Sequence, residues 1–150
     1  MKTILDWHVL VTRPLHQGKG LVKMLLQAGA QVYHVPTIEI LALKLNDWDY
    51  SDKSFDWIIW TSANAVAFTP WKLLPNYKHA LAIGPATARV CREHEVSLFR
   101  DLPKGTDSES CLKWMSDHGL CQNKSILLIK GEGCRHLLKE GIEHLGGSLE

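Results

Sequence analysis

Three short polar turns hold the residues of this chain that could bind a ligand. Each turn directly follows an apolar run and combines hydroxyl, amide, glycine or basic residues. The candidates are Thr61, Ser62 and Asn64 in the first turn, Gly84 and Thr87 in the second, and Lys130, Gly131, Gly133 and Arg135 in the third. Backbone amides and donors of this kind, placed where a helix begins, hold anions. The chemistry predicted for the turns is therefore the binding of a negatively charged group.

Each turn also has a structural interpretation, and the residues alone leave both open. Serine and asparagine at a helix start satisfy free amides, which contributes about 1 kcal/mol to stability. Capping is therefore the favoured interpretation of the first turn taken by itself. Thr87 could be an exposed residue of a first helical turn. The third turn could be a flexible loop, because His136 stands where a dinucleotide-binding fingerprint needs its third glycine.

The hydrophobic pattern predicts the elements that must position these turns. Apolar runs predict strands at residues 8–12, 31–35, 37–41, 57–60, 79–83, 96–99 and 125–129. Helical patterns lie between most of them. Gly29 is predicted to end the first helix, and Gly84 with Pro85 to begin a later one. Thr106 and Glu109 are predicted to form a capping box.

This order of elements predicts an α/β fold with a doubly wound, mostly parallel, flavodoxin-like sheet. The carboxyl ends of parallel strands meet at one edge, where such folds bind ligands. The three polar turns should therefore share that edge. Pro36 interrupts the second strand and is a plausible crossover point between two lobes.

The composition is that of an ordinary globular chain of 150 residues. Because 17 basic residues nearly balance 16 acidic ones, nothing in the net charge suggests a nucleic-acid or membrane partner. No run approaches the roughly 20 apolar residues that cross a bilayer. Asp6 and His8 interrupt any signal-peptide core. We therefore expect a cytoplasmic protein.

Motifs for other chemistries are weak or missing in the sequence. The four cysteines are widely spaced, so buried thiols are favoured over a disulfide framework. They are also favoured over a zinc site at Cys91 with His94 or at His118 with Cys121. Neither a Walker phosphate loop nor a Gly-x-Ser-x-Gly elbow is present. These observations argue against most nucleotide hydrolases and against serine hydrolysis.

Four motifs, taken in order, resemble the uroporphyrinogen-III synthase family. They are Val11-Thr12-Arg13-Pro14 and the segments 61–66, 82–88 and 130–138, and their order extends across essentially the whole chain. The resemblance implies cyclisation of linear hydroxymethylbilane to uroporphyrinogen III. Water is released, and the last ring is inverted through a spirocyclic intermediate. No metal or redox cofactor is implied.

The resemblance also implies where the substrate binds. Ser62, Asn64, Thr87 and the turn 131–135 would line a cleft between two lobes, with Arg13 nearby. Thr87 stands at the place of a family threonine implicated in activity, so a positioning donor is expected there. Cys134 departs from the glycine often found at its position and could crowd a carboxylate.

The resemblance predicts an incomplete first lobe at residues 1–36 and a second lobe at residues 37–150. Family members continue for about one further lobe's worth of chain, including a tyrosine that has no match here. We therefore expect a truncated form with reduced or no activity. The full-length form is expected to be a monomer, whereas the unpaired sheet edges of the truncated chain favour self-association.

Two other function classes remain as alternatives. A receiver-like signalling domain of the same topology would use Thr61 and Lys130 as its switch residues. Its weakness is that Asp56 precedes the central strand and does not end it, so no phosphoacceptor lies beside Lys130. The other alternative is a fragment that binds a partner without catalysis.

Overall fold

The computed structural model describes residues 4–43, 50, 52–133 and 136–150. The chain forms two compact units, Met1–Lys44 and Leu45–Glu150. The elements are, in order, β1 (His8–Val11), α1 (Leu15–Gln27), β2 (Gln31–His34), β3 (Ser54–Trp60), α2 (Ala63–Ala67), β4 (Asn76–Ala82), α3 (Pro85–Glu93), α4 (Ser108–Asp117), β5 (Ser125–Ile129), α5 (Leu137–His144) and β6 (Ser148–Leu149). No described helix has both the length and the apolar character needed to span a membrane. The lobe boundary at Pro36 stays a prediction about the whole protein.

The first unit is a strand, a helix and a second strand, as the sequence predicts. β1 and β2 pair in parallel from His8 with Gln31 to Val11 with His34. The imidazole of His34 lies so close to Gly18 of α1 that a Cβ would not fit there. Gly29 follows α1 with φ +94°, the left-handed conformation predicted for a residue that ends a helix.

Large apolar side chains remain exposed in the first unit. Of the fourteen that are exposed among the described residues, twelve lie here: Leu5, Trp7, Leu10, Leu15, Leu21, Met24, Leu26, Tyr33, Val35, Ile38, Leu41 and Leu43. Parallel sheets are normally covered on both faces, because each strand carries apolar residues on both sides. The described part of the first unit therefore presents apolar surface without a covering layer of its own.

The second unit is a four-stranded, wholly parallel sheet in the order β4-β3-β5-β6. Counted from the first strand of this unit, the order is 2-1-3-4, which is how flavodoxin-like sheets begin. Helices separate the strands along the chain, as right-handed crossovers require. The predicted α/β class and parallel sheet are confirmed.

Two apolar cores lie on opposite faces of this sheet. Ile58 and Trp60 of β3 belong to the core that also contains residues of α2 and α3. Trp57 and Ile59 belong to the core that contains residues of α4 and α5. All four side chains are at most 2% exposed. This alternation follows from the two-residue period of a strand and makes β3 the centre of the unit.

Two predicted strands are wrong. Segment 37–41 contains no strand, although its Thr37 N–H donates to the Thr12 carbonyl at 3.1 Å, just beyond the end of β1. Segment 96–99 lies beside the outer edge of β4, where the Phe99 N–H donates to the Ala80 carbonyl at 2.9 Å. A single bond does not make a ladder, so apolar composition alone was a misleading signal in both segments.

The capping prediction for α4 is wrong by one residue. Asp107 is the capping residue, and its Oδ1 accepts the Ser110 N–H at 2.7 Å. Aspartate ranks above threonine at this position because its carboxylate is the better acceptor for a free amide. The hydroxyl of Thr106 is therefore not used as the cap of α4.

Candidate functional site

The three polar turns lie at one edge of the second unit's sheet. Trp60, the last residue of β3, pairs with Ala82 of β4 and with Ile129 of β5. Because the three parallel strands end level with one another, the residues that follow them must leave the sheet side by side. The predicted common edge is confirmed.

The turn between β3 and α2 uses its hydroxyls to hold the protein together. The Thr61 hydroxyl donates to the Ile129 carbonyl at 3.3 Å, and the Thr61 N–H donates to the same oxygen at 3.1 Å. Ser62 caps α2, since its Oγ accepts the Ala65 N–H at 3.1 Å. Asn64 also has an interaction within the protein. The structural interpretation of this turn, helix capping, is confirmed for Ser62.

A buried hydrogen bond fixes α2 on the sheet. The indole Nε1 of Trp60 donates to the Thr69 hydroxyl at 2.8 Å, and that hydroxyl donates to the Ala65 carbonyl at 2.7 Å. Thr69 is only 6% exposed, so these bonds are shielded from water. The position of the first polar turn is thereby tied to the central strand.

The turn between β4 and α3 leaves its donors unused. Gly84 is the residue before α3, with φ +82°, and it has no side chain that could cap the helix. The first turn of α3 contains no acidic residue. Among the described residues, the N–H groups of Ala86 and Thr87 have no hydrogen-bond partner. Two free amides at the positive end of a nine-residue helix are suited to an anion.

Thr87 adds a hydroxyl to these two amides. Its side chain is 4% exposed, which excludes the exposed first-turn interpretation. It lies one helical turn from Cys91, which is part of the core under α3, so the two side chains share the face of α3 that packs on the sheet. No described residue forms a hydrogen bond with the Thr87 hydroxyl. The oxygen of this hydroxyl is not one of the fully buried, unpartnered side-chain atoms of the described residues, so it reaches solvent and is open to a ligand.

The third turn contributes a cation and an open backbone. Lys130 is half-buried and has no ion-pair partner among the described residues, whereas Gly131 and Gly133 are exposed. Gly133 has φ +70°, a conformation that favours glycine. The predicted site residue Arg135 and its neighbour Cys134 lie outside the described residues.

The remaining predicted site residue, Arg13, belongs to the first unit. It is exposed, and its carbonyl oxygen lies 3.0 Å from Nε2 of His34. A pocket of about 450 Å³ next to it, at the carboxyl ends of β1 and β2, is lined in part by Pro14, His16 and Glu39. Arg13 therefore lies at the ligand-binding end of its own small sheet.

Sequence reasoning missed one residue at the edge of the second unit. The Cβ and Cγ2 atoms of Thr106 lie 3.5 Å from where a Cβ on Gly84 would be, so Thr106 adjoins the start of α3. The available signal was Asp107, the stronger capping residue, which directly follows Thr106. That order could have shown that the Thr106 hydroxyl is not needed by α4.

The most perturbed carboxylate of the unit lies far from this edge. Asp56, near the amino end of β3, is bonded to Lys78 at 2.8 Å and accepts the Ser125 N–H at 3.0 Å. The bond from Lys78 and the bonds from Ser125 lower the pKa of Asp56 to about 2. Lys130 follows the opposite end of β5. This separation removes the acidic partner that a receiver-like site would need.

The described thiols are placed for packing. Cys91, Cys111 and Cys121 are buried. Burial raises the pKa of Cys91 to about 11 and that of Cys111 to about 12, so both thiols stay protonated near neutral pH. The described residues include no cluster of three side chains able to hold a metal ion.

A family model described as uroporphyrinogen-III synthase HemD matches residues 19–150. The chain belongs to the uroporphyrinogen-III synthase family. It is 30% identical over 152 residues to the uroporphyrinogen-III synthase of Proteus mirabilis, covering 95% of this chain and 76% of the relative. It is 31% identical over 150 residues to that of Chlorobaculum parvum, covering 93% of this chain and 59% of the relative.

Solved structures of uroporphyrinogen III synthase from Thermus thermophilus share the fold. The wild-type protein matches with a TM-score of 0.54 at 16% identity, and a mutant form matches with a TM-score of 0.65 at 14% identity. Each match covers 96% of this chain, but only 59% and 60% of the respective Thermus chain. The chain therefore spans about three fifths of these structures.

Proposed function

We propose that this chain is part of a uroporphyrinogen-III synthase, a lyase that cyclises linear hydroxymethylbilane to uroporphyrinogen III. The observation that carries the proposal is the open start of α3. There, two unpartnered amides lie together with the unpartnered, solvent-accessible hydroxyl of the largely buried Thr87, in a chain of this family. Such a site suits the carboxylate of an acetate or propionate group.

The proposed mechanism follows from what binding alone can do. Hydroxymethylbilane closes through a spirocyclic intermediate with its last ring inverted, and its terminal hydroxyl leaves together with one proton as a single water. The ends of a flexible polycarboxylate must meet in one orientation, which is a problem of proximity. Anion contacts at helix starts contribute roughly 0.3–1 kcal/mol each, so several of them together can hold a bent substrate.

The residues proposed to form the substrate site fall into four groups with different support. Thr87 and Gly84 lie at the open helix start, and the hydroxyl of Thr87 is the proposed positioning donor. Lys130, with Gly131, Gly133 and Arg135, would hold a second carboxylate, and Arg13 a further one. Thr61, Ser62 and Asn64 already have partners inside the protein, so their proposed role is to shape the wall beside the substrate.

The test of the proposed activity uses the natural full-length protein and hydroxymethylbilane. Separation of the products should give the type III isomer, whereas hydroxymethylbilane that closes without the enzyme gives the type I isomer. Exclusive formation of type I would disprove the proposal. The 150-residue chain is expected to show reduced or no activity, and turnover equal to that of the full-length protein would contradict this expectation.

We also propose that the 150-residue chain associates with itself through the first unit, whereas the full-length protein is a monomer. The support is the set of twelve exposed apolar side chains in that unit. Leu10→Asp should lower the association measured by sedimentation across concentrations. Leu73→Asp, at an exposed leucine of the second unit, is the matched control and should not. A chain that stays monomeric at all concentrations would refute the proposal.

The family assignment also supports a cytoplasmic location without a nucleic-acid partner, and both remain proposals. The receiver-like alternative is disfavoured by the position of Asp56 at the far end of β3. Incubation with acetyl phosphate tests it, since a labile phosphoryl group on the chain would revive that alternative. The other alternative, a protein that binds a partner without catalysis, predicts that even the full-length protein leaves hydroxymethylbilane unchanged.

A further inference from the structure

The loop before α4 packs against the first turn of α4. A Cβ on Gly105 would overlap the side chain of Ser110, so the backbone packs directly on that serine. Two residues later, Asp107 accepts the Ser110 N–H at 2.7 Å. These two contacts fix the residue between them, Thr106.

On its other side, the loop touches the start of α3. The Cβ and Cγ2 atoms of Thr106 are the nearest atoms to the position of a Cβ on Gly84, both at 3.5 Å. The hydroxyl oxygen is farther away, so the methyl group makes the packing contact. Thr106 is exposed, and no described residue forms a hydrogen bond with its hydroxyl. Its hydroxyl is thus free beside a helix start with two free amides.

Thr106 lies between two helix starts of different character. The start of α4 already holds the carboxylate of Asp107, whereas that of α3 has no acidic residue and no side-chain cap. An incoming anion is favoured only at α3, since at α4 it would meet a like charge. A ligand carboxylate bound to the amides of Ala86 and Thr87 would then lie within reach of the Thr106 loop.

We propose that Thr106 is a substrate-positioning residue whose hydroxyl donates a hydrogen bond to the carboxylate held at the start of α3. This inference rests on the proposed function and adds a donor from a separate loop. Donors from two elements fix the direction of a carboxylate, whereas a helix start alone leaves it free to rotate. The residue therefore selects the orientation of one arm of the substrate.

The experiment measures binding of uroporphyrinogen III, kept reduced, to the 150-residue chain. Thr106→Val keeps the shape and the methyl contact but removes the hydroxyl, and should weaken binding about three- to tenfold. Thr106→Ser should retain most of the affinity. Ser116→Ala, at an exposed hydroxyl near the other end of α4, is the matched control and should bind like the unsubstituted chain.

A second measurement separates positioning from a structural role. Without ligand, Thr106→Val should leave the amide resonances of Ala86 and Thr87 and the Tm unchanged. A shift of those resonances in the free protein would assign Thr106 to the fold and overturn the proposal. Unchanged affinity in Thr106→Val, with weakened binding in Thr87→Val, would overturn the role of Thr106 alone. Absence of binding by the unsubstituted chain would overturn this inference. The proposed function would still be tested independently, by the isomer that the full-length protein forms.

Discussion

Two helix starts at the same sheet edge differ in whether their polar groups have partners within the protein. At α2, Ser62 caps the helix and Thr61 is bonded to β5. At α3, Gly84 offers no cap, and the hydroxyl of Thr87 has no partner among the described residues. The turn with more polar side chains is therefore the less available one. Hydroxyls in a turn often serve the fold, and a helix start without a cap keeps its donors for a ligand.

The start of α4 adds a third arrangement beside these two. Its carboxylate cap, Asp107, places a negative charge where a ligand anion would otherwise bind. One edge of the sheet thus presents a hydroxyl cap, an open start and a charged cap. We expect ligand binding to depend most on the open start of α3 and less on the two capped starts.

Thr87→Val should weaken ligand binding strongly with little effect on folding stability. A hydrogen bond to a charged group contributes about 1.5–3 kcal/mol, so affinity for uroporphyrinogen III should fall at least tenfold. The Tm should change little, because valine fills the same space and the Thr87 hydroxyl has no partner among the described residues to lose. Titration and thermal unfolding of the same preparation check both results. A large loss of Tm would show that Thr87 serves the fold, as Ser62 does.

Gly84→Ala should weaken ligand binding by changing the backbone conformation at the start of α3. Gly84 has φ +82° and ψ 158°, a conformation essentially confined to glycine, so alanine should cost on the order of 1–3 kcal/mol of folding stability. The relaxed backbone should also move the first amides of α3 and weaken binding. Gly119→Ala is the matched control, since Gly119 has φ +62° but lies at the end of α4 with no atom within 4 Å of the added Cβ. Denaturant unfolding should show a loss of stability in both variants. Equal loss of affinity in both would contradict the local role of Gly84.

Ser62→Ala should give the reverse of the Thr87 result. Loss of a serine cap costs about 1 kcal/mol, so the free energy of unfolding in denaturant should fall by that amount. Affinity for the ligand should change by less than about twofold, because the serine oxygen is already engaged with Ala65. If binding fell as far as in Thr87→Val, the proposed difference between the two helix starts would be wrong.

Asp107→Asn should convert the charged cap into a neutral one. Asparagine caps about as well as aspartate, so stability should change by only a few tenths of a kcal/mol. Removal of the negative charge should strengthen binding of the polycarboxylate about twofold at low salt, an effect that added salt reduces. Titrations at two salt concentrations check this. Weaker binding in the variant would show that the charge of Asp107 assists the ligand.

The opposite edge of the sheet should respond to pH and not to the ligand. The pKa of Asp56 is about 2 in the folded chain and 3.8 as its ordinary value. Its contribution to stability is therefore present above about pH 4 and is lost as pH falls towards 2. Unfolding of Asp56→Asn should be less pH-dependent in this window than that of the unsubstituted chain. Asp117→Asn, at an exposed ion pair, is the control and should retain the dependence.

The sequence predicted most of the second unit because its signals are local. The runs that became β3, β4 and β5 are apolar and short, and Pro85 after Gly84 marks a helix start. The same kind of signal failed at segment 96–99, where apolar residues cover the edge of β4 through one backbone bond. Composition shows that a segment is buried, but only its neighbours decide whether it joins the ladder.

For the candidate site, the sequence supplied the residues and the edge, but not which donors have partners in the folded chain. It left open whether the turn at Thr61 binds a ligand or serves the fold, and the Thr61 hydroxyl is bonded to Ile129, 68 positions away. It gave Thr106 to the cap of α4, and the structure gives that role to Asp107. Partners so distant in sequence leave no local pattern from which their bonds could be predicted.

By itself, the sequence determined the family, the alternation of strands and helices, and the edge at which Thr61, Gly84 and Lys130 meet. Motif order and hydrophobic period are properties of the chain, so they can be read before it folds. Only the tertiary structure decided which donors are free. A hydroxyl is available to a ligand when no other group in the folded protein has taken it, and that depends on neighbours brought together in space. For this reason the proposed site centres on the start of α3, where the first amides have no partner among the described residues.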